Sequence, residues 1–295
     1  MPLRDTGKYN LTIKDEPKEV NKIRKKIIKS FDSLEFVDEG HKYFLHHDDG
    51  TSEELTSVSN ITHLFSEPFN DEEMAEKYAA KHGETKEYWL DKWKYNSLKA
   101  TTTGTLVHAW AESYSWLRSG HPELITDECR GKYIEDKNWL IPTRDKEESV
   151  LNFYGQLDSN LHMVMAETKI YSGVNPKLPK FSQNYAGTFD LLMYYKHPTD
   201  DSKSGLVIMD WKTNGDLYKE YSRSKGKMLY EPFEDMYDEP LSNYTIQLSC
   251  YQIPLEDIGL KVIARRVIWL KPNGEFESIK VPDVTDRLRK YFTEK

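Results

Sequence analysis

The chain has 295 residues, of which 49 are acidic and 41 are Lys or Arg, and a formal net charge of −8 at pH 7. This length permits a substantial core within one elaborated domain. The acidic balance argues against broad, nonspecific coating of DNA, although basic residues gathered in one groove still permit DNA binding. No apolar run approaches a membrane span and the first residues lack a signal-peptide core, so we expect a cytoplasmic protein without a membrane partner.

Only two cysteines are present, Cys129 and Cys250, and their sequence contexts are unrelated. They predict no disulfide scaffold, and reduced thiols suit a cytosolic setting. Because the common iron–sulfur clusters need four cysteine ligands, the sequence excludes a cluster of that type.

The N-terminal region begins with a polar segment over residues 1–19, which we expect to be flexible. Residues 18–29 are rich in lysine and carry Val20, Ile23 and Ile27 at helical spacing. This pattern fits two structures, a basic patch that contacts DNA or a solvated amphipathic helix.

A small hairpin is predicted over residues 41–56, because Asp49-Gly50 is a strong turn signal between two short strand patterns. Ser57 begins a helix, and residues 71–98 follow a helical pattern that is rich in charge and tryptophan.

A further helix is predicted to begin at Thr103 or Gly104 and to end near Gly120. On it His108 and Glu112 are four residues apart and share one face. They form either an ordinary solvent-side pair or part of a metal site, since neutral imidazole is a common metal ligand.

Residues 162–171 predict a strand that carries Glu167. Glu167 is either one exposed member of an alternating strand or an acidic group of the site described next. The strand pattern alone leaves both interpretations open.

Two further strands are predicted over residues 185–195 and 205–213, joined by a polar turn centred near position 200. In a symmetric antiparallel register Asp190 lies opposite Asp210, and two carboxylates placed in this way repel each other. A divalent cation between them reverses the sign of that interaction, and Mg²⁺ is usually held by one or two carboxylates. Lys212 lies on the same face as Asp210 because side chains alternate along a strand.

The chemistry that fits these groups is metal-assisted hydrolysis of a phosphodiester. Lys212 would position or deprotonate the attacking water, or contact the phosphate as a point charge. The competing interpretation of Asp210 and Lys212 is a surface salt bridge on an edge strand.

Residues 216–241 show no clear periodicity. They are predicted to form either an arm that faces the substrate or a solvent-exposed loop. In the first case Tyr218, Tyr221 and Tyr230 would stack on bases. Three basic side chains of this segment are candidates for DNA contacts: Arg223, Lys225 and Lys227.

Gln247 and Tyr251 share a face of a predicted helix, where they either pack ordinarily or contact a phosphate, sugar or base. A strand over residues 261–271 and a turn at Asn273-Gly274 lead to a strand over 276–281. A closing helix follows over residues 286–292.

Four of these segments, in this order along the chain, resemble the PD-(D/E)XK nuclease superfamily in its RecB-like, phage-type exonuclease branch. They are Gly104 to His108, Gly187 to Asp190, Asp210 to Lys212, and Gln247 to Tyr251. The hairpin, the Ser-Val-x-x-Ile segment from Ser57 and the following helices are also similar to the openings of many members of this branch.

The resemblance implies a restriction-endonuclease-like α/β fold, in which helices flank a mixed central sheet. It implies one nuclease domain over residues 20–295, with an N-terminal elaboration over 20–102 and a catalytic core over 103–295. It further implies one or two Mg²⁺ or Mn²⁺ ions. The implied ligands are the side chains of His108, Glu167, Asp190 and Asp210 and the backbone carbonyl of Trp211.

In the same resemblance Lys212, Gln247 and Tyr251 join Asp190 and Asp210 as catalytic residues, and Glu112 orients His108. The implied activity is metal-dependent exonucleolytic hydrolysis of DNA, in recombination, repair or processing, with a recombination or replication protein as a further partner. If the chain is phage-encoded, its location is the cytoplasm of a bacterial host. Two alternatives stay open, a structure-selective endonuclease of the same superfamily and a non-catalytic DNA-binding or assembly subunit.

Overall fold

The computed structural model describes residues 16–126, Cys129 and residues 143–294. Its helices are α1 (Lys18–Phe31), α2 (Val58–His63), α3 (Asp71–His82), α4 (Lys86–Ser119), α5 (Arg144–Gly155), α6 (Glu220–Lys225), α7 (Pro240–Asp257) and α8 (Thr285–Glu294). Its strands are β1 (Leu34–Val37), β2 (Lys42–His46), β3 (Ser52–Ser57), β4 (Leu161–Tyr171), β5 (Tyr185–Tyr195), β6 (Gly205–Lys212), β7 (Val262–Leu270) and β8 (Phe276–Lys280). These strands form one mixed sheet flanked by helices, so the predicted α/β class is confirmed.

The sheet mixes both strand directions around β5 and β6. Strands β1, β2 and β3 form an antiparallel meander, and β3 then pairs in parallel with the start of β5. Strand β6 is antiparallel to β5 and parallel to β7, which in turn pairs with β8. The parallel step from β6 to β7 requires a crossover, and α7 supplies it by packing across the sheet.

Strand β5 has two different partners along one edge, and this creates a fork in the sheet. The β3 partners of β5 are Tyr185 and Ala186, whereas its β6 partners begin at Leu191. Strand β4 pairs along the opposite edge of β5. Residues 187–190 therefore line the fork, and the Gly-Thr-Phe-Asp motif occupies it.

The register of β5 with β6 is the predicted one. Leu191 pairs with Met209, and one further step of the same register sets Asp190 opposite Asp210. Strand β6 lies between β5 and β7, and Asp210 is only 1% exposed. The alternative of a surface salt bridge on an edge strand is therefore wrong.

Helices cover both faces of β6. Successive side chains of the strand point to opposite faces, so Trp211 and Lys212 contact different helices. The Trp211 ring packs at 5.0 Å from the Phe153 ring of α5, whereas the Lys212 ammonium lies 4.4 Å from the Tyr244 ring of α7. The end of β6 is thus held between two helical layers, and the charged residues face α7.

The helix that carries His108 is longer than predicted. It begins at Lys86, with Thr85 as its N-cap, and not at Thr103 or Gly104. Its end is confirmed, because Gly120 closes it in the left-handed conformation. The predicted boundary between residues 102 and 103 therefore falls inside one continuous helix.

The helical pattern of residues 71–98 belongs to two helices rather than one. Helix α3 ends at Gly83, whose φ of 76° breaks the helix, and α4 starts three residues later. Gly83 and Thr85 are cap signals for this break, although charged residues of high helix propensity continue on both sides of it.

The remaining N-terminal expectations are mostly confirmed. Strands β2 and β3 form the hairpin, and the Ser57 side chain caps α2 by accepting a hydrogen bond from the Asn60 N–H. Strand β1 was not predicted. Residues 1–15 of the segment expected to be flexible lie outside the described residues, and its last two residues already belong to α1.

The lysine-rich segment forms an amphipathic helix, α1, and a contact of its lysines with DNA stays a prediction. Val20, Ile27 and Phe31 are buried, and the buried Arg24 donates to the Val164 carbonyl of β4. The lysines of α1 lie on the outer, exposed side.

The C-terminal elements are confirmed as a β7–β8 hairpin and a closing helix, α8, which runs from Thr285 to Glu294. Asn273 and Gly274 both have positive φ, as their turn requires. In the described part of the chain no helix is both long enough and apolar enough to cross a membrane.

Candidate metal centre

Three neighbouring strands bring three carboxylates into one row. Glu167 lies between the pairs Ala166–Leu191 and Thr168–Phe189, and therefore opposite Asp190. Asp210 lies opposite Asp190 on the other side. Carboxylates on adjacent strands repel each other, so this row is unfavourable unless cations compensate it.

His108 reaches this row from α4. Its Nδ1 atom lies 3.5 Å from Glu167 Oε1 and 3.5 Å from Asp190 Oδ1. One possible ligand atom from each of these three residues lies within 4.8 Å of the other two. An imidazole nitrogen and two carboxylates so close together form a donor set that suits a divalent cation.

The backbone fixes which nitrogen of His108 is free to bind a cation. Its Nε2 atom lies 3.1 Å from the Trp211 carbonyl oxygen, which can only accept a hydrogen bond. A neutral ring therefore carries its proton on Nε2 and turns the Nδ1 lone pair toward Glu167 and Asp190. The Trp211 carbonyl, which was predicted as a metal ligand, accepts this hydrogen bond and orients His108, and its role as a ligand stays a prediction.

Glu167 is held in a strained conformation at this point of β4. Its φ is 43°, in the left-handed region that a non-glycine residue adopts only at a cost of about 1–3 kcal/mol. Such strain persists where the surrounding structure enforces it, and here the flanking β4–β5 pairs on both sides do so. The strain coincides with the position that aims a carboxylate at His108.

The charges of the row shift the pKa values of its members. Burial works to lower the pKa of His108, but Asp190 and Glu167 outweigh it, so this pKa lies well above its ordinary value. Burial works to raise the pKa of Asp190, but His108 and Lys212 outweigh it and lower that pKa. The side chains of His108 and Lys212 thus provide positive charge beside the row of carboxylates.

Asp210 is the least satisfied member of the row. Lys212 Nζ forms an ion pair 2.5 Å from Oδ2, and no other described donor reaches the Asp210 oxygens. Burial and the neighbouring Asp190 raise the pKa of Asp210 to about 7, although Lys212 opposes this. A buried carboxylate without hydrogen bonds is costly, and a cation at this edge would compensate it.

Lys212 does not have the lowered pKa that general-base chemistry would need. Burial works to lower its pKa, but Asp210 and Asp190 outweigh it and raise the pKa above its ordinary value. A bound divalent cation would lower this pKa, so the expectation that Lys212 deprotonates water stays a prediction. Its role as a positive charge beside the phosphate is compatible with this geometry.

Glu112 does not orient His108. Its carboxylate is buried and accepts hydrogen bonds from the Thr126 N–H, at 2.9 Å, and from the Thr126 hydroxyl. Burial and the charge of Glu167 raise the pKa of Glu112 to about 7. The solvent-side His–Glu pair is equally wrong, because Glu112 ties helix α4 to the segment that follows it.

Gln247 and Tyr251 lie next to each other on α7, where the Gln247 amide donates to the Tyr251 hydroxyl at 2.9 Å. Tyr251 is buried, and its ring packs over Gly187, so it offers no free face to a base. Gln247 is half-buried and stays a candidate for a phosphate contact. The structure therefore assigns Tyr251 to supporting the fork rather than to stacking.

Two residues of this region were missed in the sequence, Tyr244 and Asn214. The Tyr244 ring lies under the Lys212 ammonium, and its hydroxyl donates to Asn214 Oδ1 at 2.8 Å. Tyr244 precedes Gln247 by three residues and Tyr251 by seven, which places all three on one face of α7. That spacing is a signal from which Tyr244 could have been found.

The predicted DNA-contacting cations of residues 216–241 are largely committed to ion pairs. Arg223 makes two bonds of 2.7 Å to the buried Glu239, and Lys227 lies 3.0 Å from Glu67 and 3.2 Å from Asp238. Lys225 is exposed on α6. Arg223 and Lys227 therefore hold the segment together, and their contact with DNA stays a prediction.

Buried residues anchor the segment over residues 216–241 to the body of the protein, and many of its other residues are exposed. Phe233 is fully buried against Phe65, with ring centroids 4.7 Å apart. Tyr218 is covered by the Arg223 guanidinium, whereas Tyr221 and Tyr230 are exposed. Of the three tyrosines predicted to stack on bases, the last two have faces open to solvent.

A comparison of the whole chain with protein-family models finds no match, and a comparison with curated proteins finds none either.

Proposed function

We propose that the protein is a Mg²⁺- or Mn²⁺-dependent deoxyribonuclease that hydrolyses phosphodiester bonds from DNA ends. The observation that carries this proposal is the convergence of His108, Glu167 and Asp190, beside the buried pair of Asp210 and Lys212. A histidine, carboxylates and an adjacent ammonium suit phosphate chemistry more than they suit a structural role, because like charges in one row destabilise a sheet.

The donor atoms fit a hard divalent cation. His108 Nδ1 and the carboxylates of Glu167 and Asp190 would hold it, and the unsatisfied oxygens of Asp210 would face the same region. A cation bound here would polarise a phosphoryl oxygen and lower the pKa of a bound water. The Trp211 carbonyl would keep His108 in the tautomer that leaves Nδ1 free.

Lys212 would act by charge and position. Its raised pKa keeps it protonated at neutral pH, and the Tyr244 ring and Asp210 restrain its ammonium group. A fixed positive charge beside the reacting phosphate stabilises the charge that develops in the transition state. Gln247 would supply a further hydrogen-bond donor from α7.

The proposed setting is the cytoplasm, in DNA recombination, repair or processing, where a recombination or replication protein would be a partner. Both cysteines are buried and free, which suits a reducing compartment. An endonuclease would use the same site chemistry, because the choice between ends and internal bonds depends on how the strand is admitted.

The test uses end-labelled linear duplex, linear single strand and covalently closed circle, each with Mg²⁺, Mn²⁺ or EDTA. Wild type is compared with Lys212→Ala and with Lys280→Ala, an exposed lysine on the edge strand β8. We expect degradation of linear DNA only, abolished by EDTA and reduced at least about 100-fold by Lys212→Ala. Lys280→Ala should keep full activity.

Cutting of the closed circle would replace the exonuclease proposal with an endonuclease. DNA binding without cleavage under any metal would overturn the enzyme and leave a binding or assembly subunit. Equal activity of Lys212→Ala and wild type would show that a different site carries the reaction.

A further inference from the structure

Helices α3 and α4 form an arm that projects from the body of the protein. Among residues 71–101 of this arm only Ala75 is buried, whereas α4 is buried from Val107 to Trp116. The same helix therefore begins in solvent and ends in the core. His108 lies at the point where it enters the body.

The arm has its own packing, so its position is defined although it is exposed. Tyr78 and His82 of α3 pack against Trp89 at ring distances of 5.1 and 5.3 Å. Lys86 binds Glu72 and Glu76 at 2.5 and 2.8 Å. Such contacts pre-organise a projecting hairpin, and pre-organisation lowers the cost of binding a partner.

The charge of α4 changes along its length. Residues 92–107 contain three lysines and no acidic residue, in a chain whose net charge is −8. This acid-free stretch leads directly to His108. An anionic strand that lies along residues 92–107 would therefore meet no acidic side chain of that stretch.

One face of this stretch is continuous with His108. Stepping back from His108 by three or four residues reaches Gly104, Thr101, Ser97 and Lys94 on the same side of the helix. Lys94, Ser97 and Thr101 are exposed. Lysine and hydroxyl side chains are the usual donors to the phosphates of a nucleic-acid backbone.

The inner end of this face adjoins the metal-binding strands. A β-carbon added to Gly104 would lie 3.7 Å from the hydroxyl of Thr213, the residue that follows Lys212. The helix thus approaches the end of β6 at Gly104. From Lys94 to His108 the helix rises about 21 Å, which matches roughly six nucleotides of one duplex strand.

We infer that this face of α4, defined as Lys94, Ser97, Thr101 and Gly104, binds the DNA backbone that flanks the reacting phosphate. This inference rests on the proposed function, because the face would bind DNA on one side of the proposed active site. We call this face the backbone track. The occupant is the sugar–phosphate backbone of a DNA strand, and the track distinguishes long substrates from short ones.

The chain offers a matched pair of lysines for the test. Lys94 lies on the face of His108, whereas Lys99 lies about 180° away on the same helix. Both are exposed, and neither forms an ion pair within the described residues. Lys94→Glu and Lys99→Glu therefore make the same charge change on opposite sides of α4.

The measurement is fluorescence anisotropy with labelled DNA, in EDTA, at several salt concentrations and DNA lengths. We expect Lys94→Glu to raise the Kd about 5–20-fold and to reduce the salt slope by about 1, and Lys99→Glu to change Kd less than about 2-fold. The difference should vanish for DNA shorter than about six nucleotides. Thermal melting should show both variants folded like wild type.

Equal losses from the two variants, or no loss from Lys94→Glu, would overturn the track. If wild type cleaves DNA with Mg²⁺ while both variants bind alike, the nuclease proposal stands and the track falls. If wild type cleaves nothing but Lys94→Glu selectively weakens binding, the track stands and the nuclease falls.

Discussion

The ring of Tyr251 packs directly over the α-carbon of Gly187, so a β-carbon at position 187 would lie 2.7 Å from Tyr251 Cε1. It would also lie 2.9 Å from Val58 Cγ2, at the start of α2. The glycine of the Gly-x-x-Asp motif is thus a packing requirement. It lets α2 and α7 close over the fork three residues before Asp190.

We therefore expect Gly187→Ala to destabilise the protein by about 1–3 kcal/mol, because an added methyl in a packed core forces its neighbours to move. DNA cleavage should fall as well, since the displaced ring lies beside the row of carboxylates. Gly155→Ala is the control, because nothing lies within 4 Å of its β-carbon. Chemical unfolding of both variants measures the difference, and a stable, active Gly187→Ala would contradict the packing role.

The Tyr244 ring should position Lys212 through its π face. A cation–π contact contributes about 0.5–2 kcal/mol, which corresponds to roughly 2–30-fold in rate. Tyr244→Leu should lower kcat by that factor and leave KM unchanged, whereas Tyr244→Phe should keep most activity because the ring remains. Steady-state kinetics on linear DNA would decide this. A loss of similar size in Tyr244→Phe would assign the effect to the hydroxyl bonded to Asn214.

Mg²⁺ or Mn²⁺ should stabilise the folded protein through His108, Glu167 and Asp190. A ligand at 100 times its Kd adds about 2.7 kcal/mol, and each kcal/mol raises Tm by roughly 2–4 °C in domains of 150–250 residues. Asp190→Asn should abolish the metal-dependent rise in Tm. Asp201→Asn, an exposed residue of the β5–β6 connection, should keep it. An unchanged rise in Asp190→Asn would place the metal elsewhere.

Glu112 should make the metal-free protein less stable as pH rises. Its folded-state pKa of about 7 exceeds its ordinary value of 4.5, so the folded protein keeps a proton that the unfolded chain has released. The stabilisation is complete below about pH 4.5 and is lost as pH rises through about 7, by at most about 3 kcal/mol.

Glu112→Gln should reduce this pH dependence while retaining an acceptor for Thr126, and the part due to Asp210, whose pKa is also raised to about 7, should remain. Unfolding curves in EDTA between pH 5 and 8 test it, with the exposed Glu84→Gln as the control. If Glu112→Gln loses stability with pH as steeply as wild type, the buried carboxylate is not the group responsible.

The local features of the fold were predictable from the spacing of residue types along the chain. Runs of apolar and aromatic residues predicted β4, β5 and β6, and the polar turn between β5 and β6 set a register in which Asp190 lies opposite Asp210. Capping residues predicted the end of α4 at Gly120 and the start of α2 at Ser57. Each of these features depends on residues that are close together in sequence, so the spacing of residue types is enough to predict it.

The contacts between distant segments became visible in the folded protein alone. Glu112 shares a helical face with His108, but it turns to Thr126 because a buried carboxylate takes the nearest N–H and hydroxyl donors. Arg223 looked free in sequence, and it is bound to Glu239, sixteen residues away. The projecting start of α4 was equally hidden, since helix propensity continues across residues 86–119 whether or not a core covers them. Burial and long-range pairing depend on contacts between segments far apart in sequence, and periodicity does not encode them.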